Sequence, residues 1–265
     1  MADITAKMVN DLRAKTGLGM MECKKALSET GGDVDKAVEY FRKKGVKTSV
    51  TERAANEGRA MAVAGSDGKS AAAVEVKCNT DFSAKVDPVT KVLEIGTQEL
   101  LRDPNVDLSA NPQIKDLLVA ASQQTGENIQ VGRTASIKAT GKAGVYNHYT
   151  GKVAVIVALS GSPSDDLVKD LCLHITATRP VALTREEVPA DLVAREKDIA
   201  VERAKSTGKP QNIAEKIAEG QMKSFYEERV LLDQKFVKDP AKTITQLLKE
   251  NNTTLEKYVA IEIGK

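Results

Sequence analysis

The chain has 265 residues, of which 41% are hydrophobic and 29% charged, proportions typical of a folded globular protein rather than a disordered one. Lysine and arginine total 39 against 37 aspartate and glutamate residues, and this near-neutral balance without a long basic run argues against nucleic acid as a partner. No apolar run of about 18 residues indicates a membrane span, and the N-terminus lacks a signal-peptide profile, so we expect a cytoplasmic protein without a membrane partner.

Residues 1–50 are predicted to form a unit of three short helices. The first ends before Gly17, a residue suited to the left-handed conformation just past a helix end, and Asp33 can cap the third. Helical spacing places an inner face at Met8, Val9, Leu12, Met20, Cys23, Leu27, Val34, Ala37, Val38 and Phe41. Because Met20 and Met21 are adjacent, both cannot face inward, and we expect one of them at an adaptable contact surface or at a loosely packed helix end.

Residues 48–59 are polar and rich in alanine, which indicates a linker or a loose helix. Two strands are predicted at residues 61–64 and 71–76, joined by a turn whose Asp67-Gly68 pair favours a hairpin. Gly68-Lys69-Ser70 resembles the end of a phosphate-binding loop, but Val63 stands where that loop requires glycine, so nucleotide binding is not expected at this turn.

Residues 79–85, Asn-Thr-Asp-Phe-Ser-Ala-Lys, place an aromatic side chain in a polar turn after the second strand. Only 3% of the residues are aromatic, so this phenylalanine is in an unusual place. Thr80 or Asp81 could cap a short helix while Phe82 folds back onto the core, and the local sequence alone favours that interpretation. The alternative is that Phe82 is exposed for contact with another molecule.

Two related halves are predicted for the rest of the body. Residues 88–124 have helical spacing, with Pro88 in a first turn, and residues 129–138 alternate as a strand. Residues 141–160 then repeat the pattern of residues 58–77 at a constant offset of 83. The repeat predicts two α+β subdomains, each with a small antiparallel sheet covered by helix, and puts Tyr146 and His148 on one face of the second hairpin.

Residues 188–229 are rich in charged residues and alanine and are interrupted by glycine and proline at residues 208–210, which predicts a projecting antiparallel helical hairpin. A helix pair packed on the body is the alternative. A loop, a helix at residues 245–250 and a strand at residues 258–263 should complete the second subdomain. The predicted division is therefore residues 1–50, 51–140, 141–187 with 230–265, and the insertion 188–229.

Catalytic chemistry has few candidates in this sequence. Cys23, Cys78 and Cys172 are far apart and lack partners at metal-ligand spacing, which argues against disulfides and a zinc site. His148 and His174 lie on different predicted elements, with His174 expected on a helix surface four residues after an aspartate. We therefore predict a protein that is not an enzyme and has no metal or cofactor, and a hydrolase is the least favoured interpretation.

Two long segments are distinctive, residues 12–27, from Leu12-Arg13-Ala14-Lys15 to Lys24-Lys25-Ala26-Leu27, and residues 79–85. Shorter ones lie at residues 126–129, 146–148, 208–210 and 213–216. In this order, and over nearly the whole chain, these segments resemble signatures of the elongation factor Ts family. The chain departs from the family pattern at Ser83 and Thr125, which stand where apolar residues are usual.

The resemblance implies a nucleotide exchange factor for elongation factor Tu, with an N-terminal domain like ubiquitin-associated domains. Phe82, with Asp81 beside it and Thr80 and Ser83 around it, would wedge into the partner's GTP-binding domain and disturb its Mg²⁺ and phosphate site. Met20 and Lys24 would dock the N-terminal domain.

By the same resemblance His148 would meet another domain of the partner. A homodimer through the helical hairpin is left open, as is a peptide-binding adaptor acting through residues 1–50 alone.

Overall fold

The computed structural model describes residues 4–44, 56–206, 208 and 211–265. Its helices are α1 (Ala6–Thr16), α2 (Met20–Glu29), α3 (Val34–Lys43), α4 (Asp87–Arg102), α5 (Pro112–Thr125), α6 (Asp165–Thr178), α7 (Ala190–Ser206), α8 (Gln211–Arg229) and α9 (Ile244–Glu250). Its strands are β1 (Glu57–Ala64), β2 (Ser70–Cys78), β3 (Gln130–Lys138), β4 (Lys142–Asn147), β5 (Val153–Leu159), β6 (Lys235–Phe236), β7 (Asp239–Thr243) and β8 (Leu255–Glu262). Helices and small antiparallel sheets confirm the predicted α+β class.

The three N-terminal helices form where the sequence predicts them. Gly17 has φ +66° at the end of α1, and the Asp33 carboxylate accepts two backbone N–H groups in the first turn of α3. Placing Met20 on the inner face was wrong, since its side chain is 54% exposed and that of Met21 is 76% exposed. Met20 is the first residue of α2, and Leu18, from the turn before the helix, packs on the core instead.

Each half of the body has a three-stranded antiparallel sheet, ordered β1-β2-β3 in the first and β4-β5-β8 in the second. The internal repeat is confirmed by its pairing register, because Ala64 pairs with Ala71 and their counterparts 83 residues later, Asn147 and Ala154, also pair. Most of the predicted linker lies outside the described residues. Its last three residues, from Glu57, belong to β1 because they find cross-strand partners on β2.

The body is layered as helices, sheet, sheet and helices. Along β5 alternate residues face different cores: Ala154, Ile156 and Ala158 meet the first sheet, and the residues between them face α6 and α9. The face shared by the two sheets is dominated by alanines, whose small side chains allow the two backbones to approach closely. Helices α4 and α5 cover the outer face of the first sheet.

Helices α7 and α8 pack on each other as the predicted hairpin, with Ala200, Ala204 and Ala218 buried between them. Its base joins the body through a cluster that includes Ala182, Val188 and Val230. The loop predicted before the helix at residues 245–250 contains the small β6–β7 hairpin instead. No helix among the described residues combines the length and apolar character that a membrane span requires.

One ion pair with a buried carboxylate was not predicted from the sequence. Glu75 on β2 is 1% exposed, and its two carboxylate oxygens accept hydrogen bonds from Arg133 Nε and Nη2 at 2.9 and 2.8 Å. Burial opposes ionisation, but the Arg133 hydrogen bonds outweigh it and lower the pKa of the Glu75 carboxyl. The same guanidinium donates to the backbone carbonyl of Glu262, so the pair also ties the two sheets together.

Candidate functional site

Phe82 projects from the turn that follows β2, and 80% of its side chain is exposed. The predicted cap is present, because Thr80 Oγ1 accepts the backbone N–H of Ser83 at 3.3 Å and Thr80 O accepts that of Ala84. A 3₁₀ turn follows at Ser83–Lys85. The aromatic ring does not fold back onto the core, so the first interpretation of this segment was right about the cap and wrong about the ring.

The turn is held from the far side by Glu127, two residues after the end of α5. Its Oε2 accepts the backbone N–H groups of Asn79 and Thr80, both at 3.0 Å, and its Oε1 accepts the Thr80 hydroxyl at 2.7 Å. Burial would raise the pKa of the Glu127 carboxyl, but these hydrogen bonds outweigh it and lower the pKa. Glu127 lies in one of the segments that resemble the family, but the sequence alone predicted no contact for it.

Asp81 is engaged by a lysine one helical turn away. Lys85 Nζ lies 2.8 Å from Asp81 Oδ2 and 5.8 Å from the centre of the Phe82 ring. The hydrogen bond from Lys85 lowers the pKa of the Asp81 carboxyl, with smaller contributions from the charges of Lys85 and Lys152. The exposed ring is therefore flanked by an ionised carboxylate and a cation.

His148 lies in the turn between β4 and β5 and is half-buried. Its Nδ1 is 2.8 Å from Thr150 Oγ1, and its ring centre is 6.3 Å from that of Tyr146 and 4.5 Å from that of Tyr149, which is 91% exposed. Tyr146 and His148 contact each other as their shared face predicts. The turn therefore presents an aromatic group with one exposed ring at its edge.

Contacts between the two subdomains fix the His148 turn against the strand pair that carries Phe82. Asn147 hydrogen-bonds both backbone groups of Ala62 on β1, and Ala60 N–H donates to Gly151 O at 2.8 Å. Lys152, in the same turn, forms an ion pair with Glu57 at the start of β1. Both candidate contact regions are thus built on one rigid framework.

The other candidate residues lie elsewhere. Met20 and Lys24 are exposed on α2 of the N-terminal unit. His174 was expected on a helix surface, and this was wrong: it is fully buried, with Nε2 2.9 Å from Gln234 Oε1 and Nδ1 accepting Val237 N–H. The described parts of the chain bring no three histidine, cysteine or acidic side chains together in an arrangement suited to a metal ion.

Comparison with known proteins gives one consistent result. A family model described as elongation factor TS matches residues 76–265. An elongation factor Ts from Hyphomonas neptunium is 40% identical over 281 residues, covering 100% of this chain and 93% of that protein. Those from a Psychrobacter species and from Methylococcus capsulatus are 39% and 40% identical, each over 92% of its own length and at least 99% of this chain.

Proposed function

Because the chain belongs to the elongation factor Ts family, we propose that it is a guanine nucleotide exchange factor acting on elongation factor Tu in the cytoplasm during translation elongation. It binds the GDP-bound and nucleotide-free partner and promotes GDP release, and it catalyses no reaction of its own. The observation that carries the proposal is the ring of Phe82, 80% exposed on a turn held by hydrogen bonds. An exposed aromatic on a preorganised turn is suited to insertion into another protein, because little ordering accompanies binding.

In this proposal Phe82 enters the partner's GTP-binding domain as a wedge, with Asp81 beside it. Thr80 and Ser83 hold the turn from which the ring projects. Insertion disturbs the site that holds Mg²⁺ and the nucleotide phosphates, and loss of the metal weakens the grip on the phosphates. The exchange factor thereby stabilises the nucleotide-free partner. By reciprocity, bound GDP weakens the binding of the exchange factor to that partner.

The binding free energy that Phe82 can supply is limited, so the proposal requires contacts beyond the wedge. Burying one phenylalanine side chain contributes about 1.5 to 3 kcal/mol of binding free energy. Each tenfold loss of the partner's affinity for GDP needs about 1.4 kcal/mol of differential binding. Phe82 alone therefore accounts for about one or two orders of magnitude. Met20 and Lys24 on α2, together with His148, are proposed as the outlying contacts that anchor the body while the wedge enters.

Release of labelled GDP from elongation factor Tu tests this function. The full chain should accelerate release in a saturable manner, and addition of excess Mg²⁺ should slow the stimulated reaction. Unchanged release at every concentration of the chain would overturn the proposal. The division at residues 50, 140, 187 and 229, and a dimer through the α7–α8 hairpin, remain predictions that this assay does not address.

A further inference from the structure

A chain of hydroxyl and carboxylate groups runs from the end of α5 to the exposed turn. Thr125 Oγ1 accepts the backbone N–H of Glu127 at 3.2 Å, and the Glu127 carboxylate accepts two backbone N–H groups and the hydroxyl of Thr80. The hydroxyls of Thr80 and Ser83 are 3.1 Å apart. Thr125 and Ser83 both belong to this network.

Glu127 acts on the turn that carries Phe82 through the backbone N–H groups of Asn79 and Thr80 and through the Thr80 hydroxyl. The Phe82 ring is mostly exposed, with Lys85 as a neighbouring cation, so its direction depends on the backbone of the turn. That backbone is fixed at its start by the two N–H groups that Glu127 accepts, and at its end by Thr80, which caps Ser83 and Ala84. Without the carboxylate, the start of the turn loses three hydrogen bonds.

We propose that Glu127 is a positioning residue of the exchange activity, which keeps the turn at residues 79–85 in the conformation that aims Phe82 at the partner. The inference rests on the proposed function and adds to it a residue that acts through the turn it holds. An ordered turn raises the rate of stimulated GDP release, because Phe82 enters the partner without the turn first having to adopt one conformation among many.

The neighbouring thiol supports this role. Cys78 Sγ donates to Thr80 O at 3.0 Å, so the carbonyl of Thr80 is held as well as its N–H group. Burial, with the Glu127 charge next, raises the pKa of Cys78 to about 11, so the thiol stays protonated and remains a donor. The charge of Glu127 thus favours the second contact that holds Thr80.

A double-mutant cycle on GDP release from elongation factor Tu tests the proposal. Glu127→Ala should lower the stimulated rate at saturation about tenfold, as expected for loss of hydrogen bonds to a charged acceptor. Glu127→Gln keeps an oxygen for the N–H groups and should stay within about threefold of the parent. In a Phe82→Ala background, Glu127→Ala should cost no more than about twofold, because both changes remove the same contact.

Glu256→Ala is the matched control. Glu256 accepts the backbone N–H and the hydroxyl of Thr140, the same kind of contact in a loop remote from Phe82. It should leave the stimulated rate unchanged. A Glu127→Ala loss that persists in full in the Phe82→Ala background, or no loss at all, would overturn the positioning role.

Amide hydrogen exchange on the free protein gives a readout that needs no partner. Glu127→Ala should expose the Asn79 and Thr80 amides to faster exchange while those within β2 and β3 keep their protection. Unchanged protection of the Asn79 and Thr80 amides would overturn the inference, whatever the GDP-release assay shows. If the amides respond but Phe82→Ala stimulates GDP release as the parent does, the wedge role of Phe82 fails, and if the parent chain does not stimulate GDP release at all, the proposed function fails.

Discussion

Asn147 brackets the backbone of Ala62, accepting its N–H with Oδ1 at 2.7 Å and donating to its carbonyl with Nδ2 at 2.8 Å. Through this pair of hydrogen bonds, a side chain at the end of β4 continues the edge of the first sheet. It places the His148 turn against the strand pair that carries Phe82.

Asn147→Ala should destabilise the protein by about 1 to 3 kcal/mol, because two backbone groups lose their partners. Chemical denaturation followed by circular dichroism measures this change in the free energy of unfolding. Asn105→Ala, in an exposed turn, is the control and should be neutral. An unfolding midpoint for Asn147→Ala equal to that of the control would show that the bracket is not needed to join the two sheets.

The ion pair of Asp81 and Lys85 predicts a measurable titration. Because the Lys85 hydrogen bond lowers the pKa of the Asp81 carboxyl, Lys85→Met should raise that pKa toward its ordinary value. NMR titration of the Asp81 carboxyl carbon in parent and variant gives the comparison. Since both groups are on the surface, added salt should shrink the difference. Identical titration curves would mean that the two side chains do not pair in solution.

His174 predicts a pH dependence of stability. Burial lowers its pKa, and because Nδ1 accepts Val237 N–H, the neutral ring carries its proton on Nε2 toward Gln234. The unfolded chain, with a histidine pKa of about 6.5, therefore binds the proton first. The contribution of neutral His174 to the free energy of unfolding is therefore complete above the unfolded pKa. It is lost as the pH falls toward the lower pKa of the folded state.

Urea unfolding between about pH 5 and 7.5 tests this dependence, the range being set by the ordinary histidine pKa. The parent should lose stability toward the acid end more steeply than His174→Gln, in which this titration is removed. Asn105→Ala, which removes no titratable group, is the comparison that should keep the parent's slope. Equal slopes for the parent and His174→Gln would contradict the buried neutral ring.

Much of the fold was predictable because it depends on local patterns. The offset of 83 residues anticipated the matching strand registers, and Gly17 and Asp33 marked helix ends. Contacts between distant segments were not predictable, because no local pattern encodes them. Glu127 lies 47 residues from Thr80 in sequence, and the burial of His174 depends on Gln234, 60 residues away.

The candidate site was predictable only as far as local sequence patterns describe it. The scarcity of aromatics drew attention to Phe82, but the local pattern favoured a buried ring, and the ring is exposed. Met20 shows the same error, a side chain expected inside and found exposed, since helical spacing took no account of its place at the first position of α2.

The exposed face of α2 predicts a kinetic separation. Met20→Ala and Lys24→Ala remove proposed docking contacts distant from the wedge, so they should weaken complex formation without changing events once the complex has formed. The concentration of the chain that gives half-maximal stimulation should rise about threefold to tenfold, and the saturating rate should stay constant.

Lys36→Ala, on the neighbouring helix α3, serves as the matched surface control. A fall in the saturating rate with an unchanged half-maximal concentration would contradict the docking role of Met20 and Lys24. An adaptor acting through the N-terminal helices alone would give no stimulation of GDP release even with the parent chain.

The saturating rate of GDP release from elongation factor Tu in the presence of Phe82→Ala is the most direct test of the wedge. Removing the exposed ring should lower that rate by about tenfold to a hundredfold, the range that one buried phenylalanine can supply. Val181→Ala, which shortens another exposed apolar side chain, should act as the parent does. Stimulation by Phe82→Ala equal to that of the parent would contradict the wedge and, with it, the role of the turn at residues 79–85.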